Sequence, residues 1–523
     1  MMLTAPLSNN ARRSKVATGY SFPAPVGGWD AVSPLAAMKP DRAILMDNWF
    51  PQPGYVEVRR GFTSFASGMG SGVVESLMPY SGTTTSASKL YAAANNNIYE
   101  ISTGTPSADV TSLTNNRWQH VNFTTSAAKF LWICNGADAP RHYNGSAWAT
   151  PSLTITTFSS SDIIHVNAHK RRLWVVFKNS TVAGYLPTES VAGVVTNFDL
   201  GPFFTRGGYL VAMATWTIDG GDGVDDKAVF ISSEGQAAVY VGTDPSSSNT
   251  WQLEGVYNLG PPIGRRCFIQ SAGDLAIIND DGVLPLSRAL GVDRAAAPQV
   301  AITARINRAM SDAARSYRSN FGWEMITYTA GTMLLLNVPV VEGTTQHQYA
   351  MNTLTGAWSR FTGQNANCWA VFKNNLYFGG NSGAVFKADT GGKDNSETIS
   401  AILQTAYSDF GTTGRLKKFG MAQPIVTTAS DGKPSIGIST DYKDNAVVGT
   451  PTSVTTGFSV YDTAKYDSTD IYASDSSVTA EWTNLSGYGQ VASLHVRASK
   501  SSTEDSVIRL NSINVTYETG AFM

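Results

Sequence analysis

Apolar residues come in short runs of strand length, each followed by a polar turn and a second apolar run. This phrase recurs seven times: KLYAAANNNIYEIS from Lys89, KFLWICNGADAPRHYNG from Lys129, RLWVVFKNSTVAGYLP from Arg172, KAVFISSEGQAAVYVG from Lys227, DLAIINDDGVLPLS from Asp274, MLLLNVPV…HQYAMN from Met333 and NLYFGGNSGAVFKAD from Asn375. Apolar runs joined by turns rich in Gly, Asn and Asp read as β-hairpins. Successive starts lie 40, 43, 55, 47, 59 and 42 residues apart. Repeats of about 40–50 residues mark four-stranded propeller blades. The pattern therefore predicts an all-β chain in which residues 46–395 form a β-propeller of six or seven blades, each phrase being a blade hairpin. Trp118, Trp148, Trp251, Trp358 and Trp369 fall between the hairpins, where an outer-strand aromatic would wedge between neighbouring blades.

The two long spacings predict insertions at about 193–226 and 289–325. The second carries the one strong helical pattern, VAITARINRAMSDAARSY: Ile302, Ile306 and Met310 recur every four residues with Ala309, Ala313 and Tyr317 alongside. Arg305, Arg308, Arg315 and Arg318 occupy its other sides, as a solvated face or a docking face. A helix over 299–318 projecting from the propeller is expected. Residues 1–45 are rich in Pro and Gly with weak periodicity, which predicts an extended arm ordered against another chain. From 396 to 523 the pattern changes to alternating segments such as ISAILQTAY, PSIGISTDY, ASLHVRAS and IRLNSINVTYE, a second, sandwich-like β domain.

Composition narrows the function. Charged residues are only 15% of the 523, against roughly 25% in an ordinary domain. With 38 Lys and Arg against 40 Asp and Glu, the chain lacks the excess of a basic nucleic-acid binder. No apolar run approaches the roughly 18 residues of a membrane helix, and the opening MMLTAPLSNNARRSK has no apolar signal core. Cys134, Cys267 and Cys368 lie far apart in apolar strands and read as buried hydrophobes rather than a disulfide framework. Synthesis in a reducing cytoplasm is the expectation.

Chemistry is sparse. His165 and His169 share a strand-and-turn context in which i, i+4 spacing does not converge on a metal. Asp219, Asp222, Asp225 and Asp226 offer oxygen ligands of the kind calcium takes, without EF-hand spacing, and read first as a polar loop. The basic doublets Arg59–Arg60, Lys170–Arg172, Arg265–Arg266 and Lys417–Lys418 read as solvated strand ends. No nucleophile–base pair, phosphate loop or metal set emerges, so no catalytic residue, cofactor or metal is expected.

Three stretches together carry a family resemblance. PVGGWDAVSPLAAMKPDRAILMDNWFPQPGYVEVRRGF resembles the opening of the tail nozzle proteins of short-tailed bacteriophages. NVPVVEGTTQHQYAMNTLTGAWSRFTG and NLYFGGNSGAVFKADTGGKD are similar to their last propeller blades. VYDTAKYDSTDIY and LNSINVTYETG resemble their C-terminal domain, with Tyr461–Asp462, Tyr466–Asp467 and Tyr472 where Trp is common. The resemblance implies a structural virion protein, a subunit of a homo-oligomeric, hexameric ring below the portal. Implied partners are the adaptor or head–tail connector, tail fibre or tip proteins, and double-stranded phage DNA passing without tight binding. With a net charge of −2 and no long basic run, a neutral to acidic lumen is expected. The alternative class is a tail-associated glycan-binding or glycan-cleaving propeller.

Overall fold

Seven groups of strands, in chain order, surround one axis. The computed structural model describes residues 17–217, 226–271, 273–428, 432–444, 446–452, 477–503 and 505–522. Their innermost strands are Val74–Tyr80, Gln119–Thr124, Ile163–His169, Leu210–Trp216, Phe268–Ser271, Glu324–Tyr328 and Cys368–Phe372, and we number the blades I to VII in that order. The protein is a β-propeller with a helical insertion and a C-terminal β region.

Each hairpin phrase supplies the second and third strands of one blade, as in Arg172–Phe177 with Val182–Tyr185. Second strands are covered on both faces by neighbouring blades, so RLWVVF and KAVFIS are buried almost throughout. That is why they read as continuous apolar runs. Outer strands such as Ser107–Val110 face solvent and are polar. Tight two-residue turns place both central residues at positive φ, at Lys170–Arg171 and Lys373–Asn374 between first and second strands and at Asn95–Asn96 between second and third. Two-residue turns of that hand match the twist of the strands that they join.

Blade VII takes its outer strand from the other end of the propeller sequence. Phe62–Ala66 pairs antiparallel with Val385–Ala388, placing Ala66 opposite Val385 and Phe62 opposite Ala388. The ring is thus closed by an interlock of early and late sequence. A propeller closed this way leaves only short, protected edges.

The N-terminal segment departs from the expected arm. Thr18–Pro23 pairs with the final strand Ile508–Phe522, setting Tyr20 opposite Val515. Ala43–Asp47 pairs with Glu397–Thr405, and Tyr55–Val58 again with the final strand. Residues 18–58 are therefore strands of the C-terminal sandwich, and the propeller proper begins at the closing strand. Phe22, Met46 and Val56 are fully buried in a core shared with Leu403, Phe419, Leu494 and Val515. Such spaced single anchors give little periodic signal, because each serves a different strand partner.

The described part of the first expected insertion belongs to the blades themselves, and 218–225 lie outside the described residues. Thr196–Asp199 completes blade III, and Leu210–Trp216 opens blade IV. The second insertion is helical, but its main helix is shorter, Asn307–Tyr317, preceded by a 3-10 turn at Ala304–Ile306. It does not project. Ile306, Met310, Ala313 and Ala314 are buried against blade VI and the sandwich core, while Arg305, Arg308, Arg315 and Arg318 are exposed. The insertion stands where blade V, with three strands, would carry its fourth.

The five tryptophans divide. Trp148, Trp251 and Trp358 do lie on outer strands. Trp251 stacks on Trp174 of blade III at 5.6 Å and on Tyr240 of its own blade at 5.7 Å, the expected wedge. Trp118 and Trp369 instead sit at inner strands, beside the axis. Periodicity located them between hairpins without fixing which strand they joined.

Candidate functional site

Two places gather polar side chains that a β-rich core does not require: the propeller axis and the joint between propeller and sandwich.

At the axis, Arg266 precedes the inner strand of blade V and spans to three other blades. Its Nη2 donates to Glu75 O at 3.0 Å, Ser76 Oγ at 2.8 Å and Trp118 O at 3.1 Å. Its Nη1 meets Glu324 Oε2 at 3.1 Å. Burial raises the Glu324 carboxyl, while Arg266 and the backbone N–H of Trp369 oppose that rise. The Phe321 ring packs between Arg117, 4.4 Å from its centroid, and Arg266, at 5.3 Å. Arg117 is in turn paired with Glu75 at 2.9 Å and Glu342 at 2.6 Å. Side chains therefore plug the centre of the propeller.

Above this plug lies a funnel of about 670 Å³, walled by the loops that enter the inner strands of blades II and IV to VI and by second-to-third-strand turns. Arg117 and Phe321 line its depth, and Arg265, Asn179, Tyr209, Glu234 and Ser319 its wall.

The joint holds a cavity of about 240 Å³ bounded by Phe50, Met333, Leu335 and Phe361 on one side and by Arg60, Asp389, Lys500 and Arg509 on the other. Arg59 is buried and forks onto Asp394 at 2.7 and 2.6 Å. Arg360 grips Asp47 through contacts of 2.7 and 2.6 Å. Lys500 is 1% exposed, and among the described residues its Nζ reaches Arg59 O, at 3.4 Å. Burial pulls its ammonium down to about 8 despite Asp505 and Glu57 nearby. Burial likewise pushes Asp389 up to about 6, against the opposing pull of Arg60.

The residues singled out in the sequence fare differently. In the doublets Arg59–Arg60 and Lys417–Lys418 the first member is buried and the second exposed; at Arg265–Arg266 the second turns to the axis. Lys417 and Lys418 are neighbours in the strand Arg415–Thr428 and point to opposite faces, while Arg59 and Arg266 turn inward from loops, so these are not simply solvated ends. Lys417 Nζ, for example, donates to Thr412 O at 2.8 Å and Gln490 O at 2.7 Å. His165 and His169 are buried in blade III, both drawn down to about 4 chiefly by burial, and His169 Nδ1 lies 3.1 Å from Thr215 Oγ1. Asp219, Asp222 and Asp225 lie outside the described residues, as do Tyr461–Asp462, Tyr466–Asp467 and Tyr472. Asp226 accepts from Thr217 Oγ1 at 2.6 Å and sits 3.7 Å from Lys170 Nζ. The three cysteines are buried thiols. No group of three metal-ligating side chains occurs among the described residues, and no helix among them is long and apolar enough to cross a membrane. The Arg266–Glu324 pair was not anticipated; the doublet Arg265–Arg266 and a charge in the otherwise apolar inner strand EMITY were its traces.

No family model matches the chain, and no curated protein does. Among solved structures it is similar to BBS1N in complex with ARL6DN, at 12% identity and a TM-score of 0.42 over 63% of this chain and 97% of that one. It is similar to YCF48 from Cyanidioschyzon merolae, at 11% identity and a TM-score of 0.38 over 62% and 98%. The extracellular domain of the putative hybrid two-component system BT3049 from B. thetaiotaomicron shares 12% identity at a TM-score of 0.40, over 72% of this chain and 46% of that one.

Proposed function

We propose that the chain is a structural subunit of a phage tail nozzle, assembling as a hexameric ring that extends the DNA-ejection channel below the portal and adaptor. One observation carries the reading: those stretches resembling that family that fall among the described residues, far apart in sequence, meet at a single joint, VYDTAKYDSTDIY lying outside the described residues. Arg59 of the first pairs with Asp394 of the second. Asn48 of the first donates to Thr362 Oγ1 of the second at 3.0 Å. The closing phrase LNSINVTYETG lies in Ile508–Phe522, which pairs with Val56 and Glu57 of the first. A chance likeness in separate segments has no reason to converge in space.

Under this reading the conduit is the axis of the ring, because each propeller's own centre is filled by Arg266 and its partners. The subunit serves as a stiff wall segment and performs no catalytic step. Electron microscopy and mass photometry of the purified protein test it. A six-membered ring with an axial opening is expected; a monomer or a closed trimer at every concentration overturns it. A short DNA duplex should bind the ring weakly near physiological salt. Nanomolar affinity with a steep negative salt slope would mean a cationic lining.

A further inference from the structure

We propose that the axial funnel is a binding site for a carboxylate-bearing saccharide of the uronate class. The inference goes beyond the nozzle reading and does not rest on ring assembly.

The funnel wall holds side chains without protein partners among the described residues. Arg117, Lys178 and Arg318 in the funnel wall are each held by a carboxylate. Arg265 is not: among the described residues its one hydrogen bond is a long contact of 3.4 Å to Asn135 O. Gly136 lies beside it at φ 73°, and a Cβ there would sit 3.2 Å from Arg265 Nη1 and 2.8 Å from Ile164 Cγ2. The backbone thus leaves this guanidinium room at the wall. Around the same space stand Asn179, Ser319, Glu234 and the exposed ring of Tyr209. None of these four side chains is committed to a protein hydrogen bond or ion pair among the described residues.

The set has a chemical meaning. A guanidinium fork matches a single carboxylate. An amide and a hydroxyl can donate to and accept from ring hydroxyls, and a carboxylate accepts from them. The face of Tyr209 suits the apolar C–H face of a pyranose. Glu234 in the same wall opposes a dense polyanion, so a phosphate backbone fits worse than a sugar carrying one carboxylate per ring. The volume of about 670 Å³ lies within the roughly 300–1,000 Å³ of small-ligand pockets.

Calorimetric titration of the full chain with α-1,4-linked trigalacturonic acid tests the proposal, with maltotriose and inorganic phosphate as comparators. Trigalacturonate should bind with a dissociation constant below about 1 mM, and both comparators about tenfold more weakly. Arg265→Ala should weaken trigalacturonate by about tenfold, the scale of one charge-assisted hydrogen bond, with an unchanged melting temperature. Absence of trigalacturonate binding overturns the proposal. Equal binding of maltotriose removes the carboxylate from it, and equal binding of phosphate leaves a plain anion site; either result also overturns it. Tyr209→Ala, at an exposed ring, is the second variant should Arg265→Ala fail to fold, and undiminished binding there overturns the stacking role and the site with it.

Discussion

The guanidinium of Arg59 closes on the carboxylate of Asp394, 335 residues further along the chain, through paired contacts of 2.7 and 2.6 Å. Its other donors are also engaged: Nε to Asn48 Oδ1 at 2.8 Å and Nη2 to Thr362 O at 2.7 Å. One side chain therefore ties the sandwich strands to blades VI and VII. Lone buried charges are costly, whereas a fully bonded pair is tolerated.

Breaking that pair from one side should be severe. Asp394→Asn leaves Arg59 charged and buried, and a loss of about 3–5 kcal/mol is expected in urea unfolding. Arg59→Met combined with Asp394→Leu should recover much of it. A single-site loss under about 1 kcal/mol would show the pair to be solvated in solution.

Closure of the ring by Phe62–Ala66 should depend on its aromatic anchor. Phe62 meets Phe378 at 5.0 Å and Phe386 at 5.1 Å, both edge-on. Phe62→Ala is expected to cost about 3–5 kcal/mol. Limited proteolysis should then cut first around blade VII, whereas a cut pattern like that of the wild type would mean that closure relies on the backbone ladder alone.

Acid should weaken the fold through blade III. His165 and His169 are held near 4, below the ordinary 6.5. Below about pH 6.5 the unfolded chain takes up protons that these two native side chains refuse, so stability falls as pH drops toward 4. Their contribution is complete above pH 6.5, and its loss approaches about 3 kcal/mol each near pH 4. Thermal melts from pH 7 to 4 measure it, and replacing both histidines by Gln should make the curve shallower, with His120, which burial also draws down to about 4, keeping part of the slope.

Lys500 acts in the same sense at higher pH. Its ammonium titrates near 8 in the fold and near 10.4 when unfolded. Between those values the unfolded chain binds the extra proton, so stability from this residue rises with pH; below pH 8 the buried charge is a full burden. Lys500→Met should therefore stabilise the protein at pH 7 by up to about 3 kcal/mol, the gain fading as pH climbs toward 10. Chemical unfolding at pH 7 and 9.5 distinguishes this from a pH-independent packing change.

The propeller was legible because strands such as RLWVVF are covered on both sides and so read as uninterrupted apolar runs. The final strand was equally visible as an alternating segment, but nothing local in TGYSFP or YVEV names Ile508–Phe522 as their partner. Pairing across the whole chain leaves no periodic trace, which is why the N-terminal residues read as an arm. The helix Asn307–Tyr317 was recognised by its stripe of Ile306, Met310 and Ala313, while what the stripe faced was not. The axis was the least legible part. Arg266 and its partners Ser76 and Trp118 sit in repeats far apart in sequence, and only the closed ring brings them to 2.8 and 3.1 Å.

Closure by Phe62–Ala66 also sets a timetable at the ribosome. The strand that receives it, Val385–Ala388, is made some 320 residues later, an interval of about 15–60 s at roughly 5–20 residues per second. Through that delay an emerging aromatic segment must stay unengaged while the intervening blades stack beside it. Ring closure is consequently a late event in synthesis, and nascent-chain chaperones meet the open form before the last blade exists to shut it.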